Sequence, residues 1–208
     1  MDLEPAERDL DTSVSRRSLV TLSGAAGLGG LAAALLLDRT TLALPADDEV
    51  ERPNVPTDAD VALLSQVIGL ELAASELYRL KLESADGDLA VAVGIMAENH
   101  QAYAQAVAGA TGLSAQSANE SLVDASRAGF EGSDDEFFAA AHAFEQTAAA
   151  THTALMGQYE SDDAIALTAS IALTEVRHAT VLADLLGVSD LDVLFGNDES
   201  ALSLGDDA

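Results

Sequence analysis

Glutamate and histidine, residue types that ligate hard and borderline cations, recur at helical spacing inside the apolar stretches of this chain. The clearest case is "SIALTEVRHATVLADLL", residues 170–186, where Glu175 precedes His178 by three positions. Residues three apart on a helix point the same way, so the pair shares a face. That face is apolar, because Thr168, Ile171, Ala172, Ala179 and Leu182 fall on the same stripe. Burying a carboxylate beside an imidazole among alkyl groups costs several kcal/mol unless a protein partner or a metal compensates.

Two other helical segments repeat the pattern. Glu145 lies on the stripe Phe138, Ala141, His142, Ala148, Ala149, His152, and Glu71 on the stripe Leu64, Val67, Ile68, Ala74, Tyr78. The cations on these segments are Arg79, Lys81 and Arg177, and Arg177 points off the Glu175 stripe. Three inward carboxylates without basic partners form the kind of like-charge cluster that a multivalent cation resolves. His142, one turn from Glu145, is a further candidate ligand or a partner behind the ligands. Otherwise His142 and His152 read as core or boundary histidines. Tyr78 reads as a core residue whose hydroxyl meets a ligand. There is also an internal echo: Glu71 and Tyr78 are seven apart, as are Glu145 and His152.

A fourth segment, "MAENHQAY", contributes His100, which shares its face with Val93, Met96, Tyr103, Ala104 and Val107. Glu98 is the nearest acid but lies about 200° around the helix, beside Gln101 and Gln105. The position three before His100 is Ala97. By these faces His100 points inward, towards the level of Glu71, Glu145, Glu175 and His178, and Glu98 points to solvent.

Four long helices must position these groups. The first runs from about Asp58 to Glu83, capped by Thr57 or Asp58, and the second from about Asp88 to Ala110, stopping at Gly112. Residues 113–133 are polar and Ser/Gly-rich, long enough to cross a bundle end to end, with room for one short helix. The third helix starts after Ser133 and ends near Glu160. The fourth runs from Ser161 or Asp162 to Leu186, closed by Gly187. Short, long and short connections describe an all-α, antiparallel four-helix bundle with one crossover between the second and third helices.

Glutamates on the first and third helices, with Glu-x-x-His on the fourth, resemble the ferritin-like superfamily. More narrowly, "LELAASELY", "FEQTAAATH" and "ASIALTEVRH" are similar to its secreted branch, which includes desiccation-related proteins. The likeness covers roughly residues 60–187. It implies a bundle holding one or two iron or manganese ions between its helices, with Glu-x-x-His on the second helix as well. Against that pattern the resemblance implies the ligands Glu71, His100, Glu145, Glu175 and His178, with His142 and Glu98 as further candidates. Ala97 stands where the second glutamate is expected, so it also implies a weakened half-site on the second helix.

Beyond the bundle, composition sets the surroundings. The 208 residues include no Cys and no Trp, which excludes disulfides and thiolate chemistry. Nine Lys+Arg against 36 Asp+Glu give a formal net charge of −27, and Lys81 is the sole lysine. Such a surface repels nucleic acid and anionic lipid, and replacing lysine by acids throughout points to a halophilic source. Ser15, Arg16, Arg17, Leu19 and Val20, ahead of an uncharged run from Ser18 to Leu37, resemble a twin-arginine export signal. The expected organisation is a signal peptide over 1–43, an acidic Pro-rich linker over 44–58, the bundle over 59–187, and an acidic, loosely held tail over 188–208. The twin-arginine translocase would then be a transient partner and the protein would work outside the cytoplasm. Membrane attachment would follow only if the signal stays uncleaved, and a homodimer stays open.

Two functions fit. The first is an exported metal-binding bundle that oxidises iron or manganese or protects against oxidative stress. The alternative is a non-catalytic bundle with a degenerate site, serving as an envelope structural or interaction protein. Enzymatic turnover is undecided at this level.

Overall fold

The computed structural model describes residues 53–203; the expected signal peptide and most of the expected linker lie outside them. Within that span the regular structure is helical: α1 (Asp58–Leu82), α2 (Gly87–Thr111), α3 (Glu120–Phe130), α4 (Asp134–Met156), α5 (Asp162–Leu185) and α6 (Leu191–Phe195). Helices α1, α2, α4 and α5 form the four-helix bundle that the sequence pattern predicts. The crossover between α2 and α4 carries α3.

Local chemistry fixes the ends. Thr57 and Asp60 form a reciprocal capping box at the start of α1, Thr57 Oγ1 accepting from the Asp60 amide and Asp60 Oδ2 from the Thr57 amide. Asp60 is fully buried and also accepts from the amides of Glu160 and Ser161, at 2.7 and 3.1 Å. One carboxylate thus ties the entry of α1 to the turn before α5. That turn begins at Gly157, so α4 stops at Met156, short of the expected Glu160. Gly112 and Gly187, with φ of 73° and 74°, close α2 and α5 in the left-handed conformation that favours glycine.

The core is layered along the bundle. One apolar cluster gathers Leu77, Tyr78, Phe130, Phe137 and Phe144; the other gathers Leu64, Val67, Val107, Leu155 and Ile171. Between them, along the chain of every long helix, sits a layer of buried glutamate and histidine. Aromatic edges stack against its first boundary: the Tyr78 ring lies parallel to His100 at 5.5 Å and perpendicular to Phe130 at 5.3 Å.

Lys81 is buried near the end of α1, bonded to Asp134 Oδ1 at 2.8 Å and Gly132 O at 3.2 Å, with its ammonium over the Phe137 ring. Arg79 and Arg177 are exposed. The cations on the long helices are thus spent elsewhere. By length and composition α1 and α5 would also pass as membrane spans, yet their apolar faces are taken up by the bundle core.

The segment after Gly187 departs from the expected loose tail. Asn197 donates to the Gln146 carbonyl at 2.8 Å, and the Leu202 amide donates to Thr151 Oγ1 at 2.9 Å. Leu202 packs on the first apolar cluster. These two bonds and Leu202 hold the strap along α4, while Leu191 and Val193 stay exposed.

Candidate metal centre

Each long helix delivers its polar group from the middle of an apolar stripe, so all of them arrive at one level of the core. Glu71, His100, Glu145, His152, Glu175 and His178 are buried there together. His100 sits between two carboxylates, its Nδ1 2.8 Å from Glu71 Oε2 and its Nε2 3.1 Å from Glu145 Oε1. His178 Nδ1 approaches the same Glu145 oxygen at 3.1 Å. The Asn99 amide donates to His178 Nε2 at 3.0 Å, which leaves Nδ1 to donate to Glu145. Tyr78 donates its hydroxyl to Glu145 Oε1 as well. His152 Nε2 bonds Glu71 Oε1 at 2.9 Å and lies 3.0 Å from Glu175 Oε1.

The five expected ligands are therefore brought together, and the two further candidates are not. Glu98 is exposed on the far side of α2, as its helical angle requires. His142 is half-buried at the edge of the α4 stripe and lines a separate cavity of about 320 Å³ with Gln146, Val176, Ala179 and Asn197. His152 is a buried, hydrogen-bonded core histidine, as its stripe suggests, and its partner is the Glu71 carboxylate. The signal that pointed to it was the seven-residue echo, which pairs His152 with Tyr78.

Without a metal the cluster neutralises itself in part. Burial works against ionising Glu71, but His100 and His152 hold its carboxyl down to about 2. Glu145, equally buried, is held well below the usual carboxylate range by His178 and His100. Burial opposes the charge on His152 too, yet Glu175 and Glu71 raise its imidazole to about 10. His100 is likewise raised well above its ordinary value by Glu145 and Glu71, against burial. Glu175 goes the other way: burial first, then the charges of Glu71 and Glu145, push it up to about 7 despite His152.

Satisfaction is incomplete, and the pattern of the gap is informative. Neither oxygen of Glu175 accepts a hydrogen bond, because His152 aims its N–H at Glu71; Glu145 Oε2 also lacks a partner. Carboxylate lone pairs buried without donors cost about 1–3 kcal/mol each, and a cation coordinated to them removes that cost. Two groups of ligand atoms lie close enough to share an ion: His100, Glu145 and His178, and Glu71, His100 and Glu175, each within 4.8 Å of one another. Carboxylate with imidazole suits iron, manganese or zinc, so the donor set fits a bound divalent metal.

Residues 59–188 match a family model described as a ferritin-like domain. Comparison with curated proteins and with solved structures gives no match.

Proposed function

From a chain that belongs to the ferritin-like domain family, we propose a protein that binds iron or manganese in its bundle core through Glu71, His100, Glu145, Glu175 and His178. The observation that carries this reading is the pair of carboxylates, Glu175 and Glu145, buried with oxygens that no protein donor satisfies. A bound iron or manganese ion supplies Lewis acidity and one-electron redox chemistry at that level of the core. The chain's own residues do the rest. Tyr78, Asn99 and His152 hold the ligands in place from behind, and the two apolar clusters wall the layer from water.

The finer reading is metal oxidation or protection against oxidative stress outside the cytoplasm. Arg16 and Arg17 support export, and lysines at both positions should leave the protein inside the cell; normal external levels would refute the route. Anaerobic loading with iron(II) or manganese(II), followed by elemental analysis, tests the metal reading. At least one ion per chain is expected, and a protein that takes up neither metal, nor zinc, is the inert bundle instead. That alternative has one observation in its favour: His100 and His152 already offset much of the carboxylate charge.

A further inference from the structure

The polar layer has an internal twofold relation that matches α1 with α4 and α2 with α5. Glu71 and Tyr78 on α1 correspond to Glu145 and His152 on α4, at a constant sequence offset of 74. The contacts exchange accordingly. Tyr78 bonds the glutamate of α4, and His152 bonds the glutamate of α1. On the other pair of helices the offset is 75, and it matches Asn99, His100 and Tyr103 with Thr174, Glu175 and His178. Here too the contacts exchange. His178 reaches across to Asn99 at 3.0 Å, and Tyr103 reaches across to Thr174 at 2.8 Å. Under the same offset Ala97 corresponds to Ala172, and both are buried alanines.

We propose that the α2 counterpart of Glu175-x-x-His178 is His100-x-x-Tyr103, and that the centre consequently holds one divalent cation rather than two. This rests on the metal-binding reading and sharpens it. Ala97 is not a missing ligand, because its equivalent on the intact half-site is also alanine. The departure lies at His100, where symmetry would place a carboxylate, and at Tyr103, where it would place an imidazole. The Tyr103 hydroxyl is turned away to Thr174 and the Ser170 carbonyl. His100 belongs to both groups of ligand atoms, with one nitrogen towards each of Glu71 and Glu145. A neutral imidazole has one lone-pair nitrogen and one N–H, so His100 can ligate in only one of the two groups at a time.

Charge points the same way. A carboxylate at 100 would make four with Glu71, Glu145 and Glu175, matching two divalent ions. With three carboxylates and neutral imidazoles, a second divalent ion leaves a net positive charge in a buried layer.

The test is manganese(II) stoichiometry by calorimetry and native mass spectrometry, with paramagnetic resonance to distinguish an isolated ion from a coupled pair. The wild type should bind one ion with an uncoupled signal. The double variant H100E/Y103H should bind two with a coupled signal, and A97E should stay at one. Two ions in A97E with one in H100E/Y103H would overturn the pairing, and two in the wild type would overturn the single-ion centre. If the wild type binds none, the metal reading fails by itself. The pairing then stands if H100E/Y103H takes two ions and falls if it takes none. Should the double variant fail to fold by circular dichroism, His100→Gln decides: lost manganese binding supports the shared role of His100, and retained binding contradicts it.

Discussion

Glu175 is the residue on which the metal reading presses hardest, since its carboxylate is buried, raised to about 7, and without a hydrogen-bond donor. Such a group weakens the empty fold and strengthens the loaded one. Glu175→Gln keeps the shape and removes the charge. The stability of the metal-free variant should stay within about 1 kcal/mol of the wild type, because His152 keeps Glu71 as its charge partner and the carboxylate lost is the one whose oxygens accept no hydrogen bond. Its manganese affinity should fall by at least about 100-fold, more than the loss usual for a partner that only orients a ligand. Unchanged affinity would remove Glu175 from the centre. The glutamates were legible in the sequence because a carboxylate on an apolar stripe contradicts its surroundings. His152 was not, because an isolated histidine on such a stripe is commonly a hydrogen-bonded core residue. Only its counterpart on α1, Tyr78, seventy-four positions away, gives it meaning.

Helix ends were mostly legible because their chemistry is local: Thr57, Gly112, Ser133 and Gly187 mark boundaries that the fold keeps. Asp60 was not, since two of its three partners, Glu160 and Ser161, are about a hundred residues away. Burial opposes its ionisation, but the Thr57, Glu160 and Ser161 amides hold the carboxyl below its ordinary value. A depressed folded-state pKa means stability that is present above the unfolded value of about 4 and lost as pH falls through the folded one. Asp60→Ala should therefore lower the melting temperature at neutral pH by roughly 4–8 °C, for a loss of about 2 kcal/mol. The gap between variant and wild type should narrow below about pH 4. An equal gap at pH 7 and pH 3 would show that packing, not the ionised carboxylate, joins α1 to the turn before α5. The same distinction between local and distant explains α2, where its face placed His100 correctly. Its equivalence to Glu175 emerges only when the exchanged contacts across the bundle are compared.

At the scale of the whole molecule the charge dominates. The six acids and four arginines of residues 1–43 account for −2 of the −27, leaving −25 on residues 44–208. We propose adaptation to molar salt: self-repulsion of that magnitude is relieved when counter-ions screen it over a few ångström. Helical circular dichroism should then decline in dilute buffer, and a signal unchanged from molar to millimolar salt would refute it. Exposed carboxylates also collect cations, and the position of a bound ion separates the core from that surface. The most direct test is an anomalous difference map at the iron or manganese absorption edge, from crystals grown in high salt and loaded with that metal. A strong peak is expected within the layer bounded by Glu71, His100, Glu145, Glu175 and His178. Anomalous peaks confined to the acidic surface, with that layer empty, would contradict it.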